Sequence, residues 1–172
     1  KGGSALFFVL CYKYLMPTLV ENRKAKFNYE VLHTYEAGIQ LLGLEVKSVR
    51  GGQMSLDGSH ITLLSSLIAV KKGSPRLSLI GSNVTPLQPL NVPSGYNPVR
   101  SRILIMSEKE LSEMEKYLHQ KGTTLIPLSI YTKRGLIKVQ VAVVRGKKKF
   151  DKRESIKKKD AKREIGRIMK GL

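Results

Sequence analysis

Cysteine occurs once in this chain, at Cys11, which excludes an internal disulfide and a thiolate-held metal cluster and fits a reducing compartment. Histidine is nearly as scarce. His33, His60 and His119 stand far apart, with no i, i+4 pair able to grip a metal from one helix face, so no metal site is expected. A long hydrophobic run is lacking too. Residues 5–20 (ALFFVLCYKYLMPTLV) come nearest, but Lys13 and Pro17 interrupt them, and a spanning helix wants about 20 consecutive apolar residues. No small-residue cleavage site follows, which argues against a secretory leader. Met16-Pro17-Thr18 reads as a plausible start, so residues 1–15 are expected to be an artefact of a misplaced start and 1–21 an N-terminal extension. Enzyme signatures are missing as well. Gly51-Gly52 has no Gly-Lys-Ser/Thr after it, and there is no nucleophile elbow or acid–base pair of carboxylates. No catalytic residue, cofactor or small-molecule ligand is expected.

Acidic residues are the other shortage: 13 Asp and Glu stand against 31 Lys and Arg, a formal net charge of +18. A globular chain with that excess repels itself unless a polyanion takes up the field, so nucleic acid is the default partner. An anionic membrane surface would need a broader apolar face than the basic segments supply. A length of 172 residues suits one compact domain with a tail.

Between residues 27 and 131 the pattern is of short strands cut by turn residues. Phe27, Tyr29 and Val31 alternate with Asn28, Glu30 and Leu32, and a second strand is expected over 38–49 (GIQLLGLEVKSV). Gly51-Gly52 ends it, and Asp57-Gly58 marks a tight turn. Further strands are expected over 60–70 and 76–84, followed by a proline-rich loop over 85–98. Ser107 and Glu110 form a capping box for a helix whose Leu111, Met114 and Leu118 make one apolar stripe, with Gly122 as its stop. Strands over 124–131 and 136–144 should join as a hairpin around Lys133-Arg134-Gly135. In the second of them Ile137, Val139, Val141 and Val143 mark a core face, and Lys138 looks outward. Many short strands with one packed helix suggest a mostly β, antiparallel barrel, the oligonucleotide-binding (OB) type being the natural choice. Closure would also spare a strand-rich basic protein its exposed edges.

The composition changes at Arg145. Residues 145–172 hold thirteen Lys and Arg with four acids, half of the net charge. Ala161, Ile165 and Ile168 fall on one helical face. Three or four apolar residues cannot offset about 1–2 kcal/mol of backbone ordering per residue. The tail, 146–172, is therefore expected to be helical only when bound to a polyanion. Phe150 and Asp151 inside a basic cluster suit RNA, where bases are covered and phosphates neutralised together. Inert solvation of a charged tail is the plainer alternative.

Several blocks resemble one family. Asn22-Arg23-Lys24-Ala25, Glu36-Ala37-Gly38-Ile39, Gly43-x-Glu45-Val46-Lys47-Ser48-x-Arg50-x-Gly52 and Arg145-Gly146-Lys147-Lys148-x-Phe150-Asp151-Lys152-Arg153 are similar, in order, to the SsrA-binding protein family. Asn97-Pro98-x-Arg100-x-Arg102 and Leu125-Ile126-Pro127-Leu128 add fainter echoes. The resemblance implies an OB-like barrel of about six strands, over 22–145, with one or two packed helices. It implies that the barrel binds the tRNA-like domain of transfer-messenger RNA (tmRNA). The tail would occupy the small-subunit decoding centre and vacant message channel of a stalled ribosome. A monomer in the bacterial cytoplasm, or in an organelle of bacterial descent, would follow. A generic cationic ribosomal-RNA binder is the alternative.

By matching positions, the resemblance implies that Asn22, Arg23 and Lys24 approach the RNA elbow, joined by Lys47, Arg50, Lys138 and Arg145. Two readings of Glu36 stay open: acceptance from a base edge or ribose hydroxyl, or an internal pair with Arg50 or Lys47. Glu45 is expected on the surface as a partner for Lys47 and Arg50. In the tail, Phe150 would stack near the decoding centre, while Lys147, Lys148, Lys152 and Arg153 neutralise ribosomal RNA. Asp151 would cap the following helix or hold a neighbouring cation, and with Ile156 and Lys157 it belongs to the part of the tail that meets the ribosome. The family often has lysine after Arg102; Ile103 stands there, which thins the basic rim.

Overall fold

The computed structural model describes residues 18–64 and 76–147, with Phe150 and Glu164 beyond them. The proposed start at Met16, the far half of the strand expected over 60–70 and the tail helix all lie outside the described residues. So do Lys148, Asp151, Lys152, Arg153, Ile156 and Lys157.

The elements in chain order are β1 (Thr18–Glu21), α1 (Arg23–Asn28), β2 (Tyr29–Ile39), α2 (Gly43–Arg50), β3 (Met54–Ser55), β4 (His60–Leu64), β5 (Arg76–Ile80), β6 (Asn83–Val84), a 3-10 turn (Pro89–Asn91), β7 (Arg102–Ile105), α3 (Glu108–Leu118), β8 (Thr123–Lys133) and β9 (Leu136–Gly146). Hydrogen bonding runs β8-β4-β5-β7-β2-β9, and β9 pairs back onto β8. The result is a closed ring of six antiparallel strands, as an OB-like fold requires, with β1 attached to β8. Every ring strand has a neighbour on both sides, although β2 meets β7 only at Gly38 and Ile39 and β4 meets β8 only at Ile61, so closure shortens the open edges rather than abolishing them.

The ring's interior is the core. Ala37, Val49, Leu77, Leu79, Leu104, Met114, Leu125, Ile130, Val139, Val141 and Val143 are all buried there. Alternation along β9 puts Val139, Val141 and Val143 inside, as the sequence predicts. The opposite face of β9 is not uniformly polar, however. Ala142 and Val144 are also fully buried, in a second cluster with Ala25, Ile126 and Leu128. Helix α1 lies over that part of the ring's outer surface and covers it, so β9 is enclosed from both sides there.

Helix α3 forms as its sequence dictates. The Ser107 hydroxyl accepts from the Glu110 amide and the Glu110 carboxylate returns to Ser107. Leu111 and Met114 are buried in the core, with Leu118 packed at its margin. The β8–β9 hairpin turns through Arg134 (φ 51°) and Gly135 (φ 77°), two left-handed residues in succession that match the twist of the flanking strands.

One expected strand starts later than its sequence pattern suggests, at Tyr29, and another is mostly helical. The six residues before Tyr29 form α1, so Phe27 is not in a strand. Residues 43–50 form α2, and β2 ends at Ile39. The order LEVKSVR mimics strand alternation, but Glu45 sits in the first turn, Lys47 and Arg50 in the last, and Gly51 follows as C-cap. That charge order suits the helix dipole.

Candidate nucleic-acid interface

Strand register places a set of polar side chains on the outer face of β2, β9 and β8. Glu36 lies opposite Gln140, Gly38 opposite Lys138, Tyr131 opposite Lys138 and Lys133 opposite Leu136. Partners in an antiparallel ladder share a face, so Glu36, Lys138, Gln140, Tyr131, Lys133 and Leu136 emerge together. Glu36 is their hub. Its Oε2 accepts from the Tyr131 hydroxyl at 2.6 Å and from Lys133 Nζ at 2.7 Å, while Lys138 Nζ stands 3.8 Å from Oε1. Burial works to raise its carboxyl's pKa. The hydrogen bonds from Lys133 and Tyr131 and the two lysine charges outweigh it and hold the pKa below the ordinary value. Glu36 therefore pairs internally, but with Lys133 and Lys138 rather than with Arg50 or Lys47.

Beside this hub lies an open groove of about 410 Å³. Its floor is Gly38 and Ile39 of β2. One wall is β7 through Ile105, another is α2 through Val46 and Arg50, and the third is the hairpin through Gly135, Leu136, Ile137 and Lys138. Ile105 and Leu136 are 64% and 63% exposed and face the same groove, so they bring apolar surface to an otherwise basic rim. Gly38 and Ile105 lie side by side here: a Cβ at Gly38 would stand 3.6 Å from Ile105 Cβ, an ordinary van der Waals contact. Arg50 Nη2 donates to the Gly135 carbonyl at 3.1 Å, tying α2 to the hairpin while the guanidinium stays exposed. An apolar slot with cations at its rim can take an unstacked base and hold its phosphates.

Behind the groove is a buried ion cluster. Glu45 does not face solvent with Lys47 and Arg50. Its carboxylate is 0% exposed, because a helix rather than a strand carries it and turns it inward. Oε1 accepts from Arg102 Nη2 at 2.8 Å, Arg102 Nε at 3.1 Å and Arg100 Nε at 3.0 Å. Oε2 accepts from Arg100 Nη2 and from the Leu42 amide at 2.9 Å. Arg102 is itself fully buried, and its remaining N–H groups reach the carbonyls of Ser82, Arg100 and Pro98 and the Ser82 hydroxyl. Burial would raise the Glu45 pKa, but its bonds with Arg100, the Leu42 amide and Arg102 keep it below the ordinary carboxylate value.

The remaining expected contacts divide into those the fold consumes and those it exposes. Asn22 is buried. Its Oδ1 accepts from the Ala25 amide as N-cap of α1, and its Nδ2 donates to the Leu56 and Pro127 carbonyls at 3.1 and 3.2 Å. Every strong polar atom of that side chain is occupied within the fold. Arg23 and Lys47 are exposed. Lys24 pairs with Asp57 at 2.7 Å on the surface. Arg145 is exposed at the far end of β9. Lys147 follows it, with its amide on the Asn28 carbonyl and its Nζ on the Lys26 carbonyl, both at 3.1 Å. Phe150 is 74% exposed. Lys138 and Arg145 thus mark two basic ends of one strand, roughly 24 Å apart at 3.4 Å per residue.

Sequence reasoning missed Ile105, Leu136, Arg134, Arg100 and Arg102 as determinants of this surface. Arg100-x-Arg102 did stand in a family-like block, but nothing local in the sequence paired it with an acid 55 and 57 residues away. Nothing local pointed to Ile105 or Leu136, which meet only through the ring. Among the described residues, no group of His, Cys, Asp or Glu could hold a metal, and no helix is long and apolar enough to cross a membrane.

Comparison with known proteins agrees with this geometry. The family model described as SmpB protein matches residues 19–171. The SsrA-binding protein of Leuconostoc mesenteroides is 41% identical over 153 residues, covering 88% of this chain and 92% of its own. Those of Caldicellulosiruptor saccharolyticus and Gloeobacter violaceus are 44% and 38% identical, over 88% of this chain and 90% and 93% of theirs. A chain from a solved structure of tmRNA–SmpB, presented as a journey to the center of the bacterial ribosome, is 36% identical. It superposes with a TM-score of 0.57 over 80% of this chain and 93% of that one. With a family match from the first strand to the end of the tail and relatives this similar over most of their length, the chain belongs to the SmpB family of SsrA-binding proteins.

Proposed function

We propose that this protein binds the tRNA-like domain of tmRNA and brings it to ribosomes stalled in translation, where its basic tail occupies the decoding centre and vacant message channel. It acts by binding and performs no bond chemistry. The observation that carries this reading is the family match over 19–171, coupled with likeness to a chain seen with tmRNA. The geometry supplies a mechanism for the barrel's share. The groove between Ile105 and Leu136 accepts an apolar base face, Arg50 and Lys138 neutralise the flanking phosphates, and the Glu36 hub fixes the direction of Lys133 and Lys138. A carboxylate inside that basic field disfavours indiscriminate phosphate binding, because any backbone approaching it meets a like charge. Arg23, Lys24 and Arg145 extend the barrel's basic surface towards the RNA elbow, while Lys147, Lys148, Phe150, Asp151, Lys152, Arg153, Ile156 and Lys157 serve the ribosome. The working form is a monomer in the cytoplasm of a bacterium.

A competition gel-shift tests this. The tRNA-like domain of tmRNA is set against bulk tRNA and ribosomal RNA fragments at near-physiological salt, where phosphate contacts alone weaken steeply. The expected result is a preference for the tRNA-like domain that survives deletion of residues 148–172. Equal binding to every RNA, lost with the tail, would leave only a generic cationic binder.

A further inference from the structure

Helix α2 is a wall of the groove held at two points. At its C-terminal end Arg50 bonds the hairpin at Gly135. At its N-terminal end Glu45 bonds Arg102, the first residue of β7, three residues before Ile105. The Gln40 amide on the Ile103 carbonyl, at 2.9 Å, ties the lead-in to α2 to β7, and the Glu45 carboxylate is the side-chain link between the helix itself and β7, also taking Arg100 from the approach to that strand. The eight residues of α2 bury only Glu45, Ser48 and Val49. Apolar packing alone is a thin hold on so short a helix, and Ser48 is engaged with the Leu44 carbonyl and the Leu87 amide.

We infer that Glu45, clamped by Arg100 and Arg102, is a positioning residue that sets the separation of α2 from β7 and so the fit of the groove to an inserted nucleobase. It touches no RNA itself. Its two arginines sit behind the groove, and the Arg102 guanidinium is wholly enclosed. The inference rests on the proposed binding of a structured RNA at the groove, and it adds a determinant of affinity that makes no contact with the ligand. A clamp of buried charge suits this task better than apolar packing. Hydrogen-bond geometry fixes a distance to a few tenths of an ångström, whereas hydrophobic contact is non-directional.

The test is a double-mutant cycle. Glu45→Gln keeps the shape but leaves Arg102 buried without a counter-charge and puts the fold itself at stake; Arg100→Gln opens half of the clamp at a partly exposed side chain. Binding of the isolated tRNA-like domain of tmRNA is measured for wild type, Arg100→Gln, Ile105→Ala and the double variant across a salt series. Positioning predicts that Arg100→Gln weakens binding about fivefold in wild type but less than twofold in the Ile105→Ala background, since coupled sites are not additive. It also predicts an unchanged salt slope, because no phosphate contact is lost. Additive losses, or a slope reduced by about one, would overturn the inference by showing a purely structural or a direct phosphate role. If wild type shows no preference for the tRNA-like domain, the functional proposal itself fails and takes this one with it. Selective wild-type binding with an additive cycle overturns the clamp alone.

Discussion

Removing Arg102 should be the most damaging single substitution in the protein's surface-forming segments, although Arg102 looks from sequence like one more basic residue. Arg102→Leu strands Glu45 at zero exposure with Arg100 as its remaining cation, and it takes from the Ser82 carbonyl its Arg102 donor, while the Pro98 carbonyl keeps only the Val84 amide. Breaking a buried pair from one side costs about 3–5 kcal/mol, because the partner charge stays desolvated. Native domains are stable by about 5–15 kcal/mol, so much of the total is at stake. Arg100→Leu deletes charge-assisted bonds to the same carboxylate from a side chain that is 29% exposed, and should cost only about 1.5–3 kcal/mol. Urea melts followed by circular dichroism at pH 7 would measure both. The expected order is Arg102→Leu far below Arg100→Leu, with the midpoint shifted and the slope unchanged. Acid adds a second axis. Glu45 is held below its unfolded pKa, so its contribution is complete at neutral pH and is lost as pH falls through that lowered value. Without Arg102 the carboxyl keeps its burial but loses a cation, its pKa rises, and acid unfolding should begin at higher pH. Equal costs for the two substitutions, or an unmoved acid transition in Arg102→Leu, would refute the view that this cluster is a stabilising clamp.

Other outcomes follow from single sites. Asn22→Ala should lose about 1–3 kcal/mol, through the α1 cap and the Nδ2 bonds to the Pro127 and Leu56 carbonyls, the second of which keeps Ser59 as a donor, yet keep its RNA affinity once folded; melts and gel-shifts on the same samples separate the two effects. Ile105→Asp places a carboxylate in the groove at a site already 64% exposed; it should leave thermal stability within about 0.5 kcal/mol of wild type while weakening tRNA-like-domain binding at least tenfold by titration. Arg134→Gly relieves a left-handed φ of 51° and should stabilise the hairpin by about 0.5–1 kcal/mol, read as a raised urea midpoint.

What was legible in the sequence is what local physics writes there. The α3 capping box, the β8–β9 hairpin and the inward face of β9 each follow from neighbours within a few residues. Helix α2 was misread because LEVKSVR satisfies a period of two as well as a helical turn, and the decisive features were charge order and Gly51 rather than hydrophobic spacing. Glu45 could not be placed without α2, and its partners lie 55 and 57 residues away. Helix α1 was hidden by its length: six residues give too little periodicity to see. The outward burial of Ala142 and Val144 followed from that helix, and so escaped too. The groove was the least legible part. It arises where Gly38, Ile105 and Leu136 converge by ring closure, and an exposed aliphatic residue has no signature until its neighbours are known.

The double enclosure of β9 has a consequence beyond stability. Between Val139 and Val144 the strand has core on one side and, towards its far end, the α1 cluster on the other, so it can neither bow nor slide without unpacking both. Its ends carry Lys138 at the groove and Arg145 where the tail departs. A stiff bar with a cation at each end is a gauge. Whatever docks at the groove and whatever receives the tail are held at a spacing set by residue count. Lengthening β9 and its neighbours β2 and β8 by two residues would preserve every inward and outward face while moving the stops apart by roughly 7 Å. Such a lengthened protein should fold, and should still bind each RNA partner alone. It should fail only when both must be engaged at once.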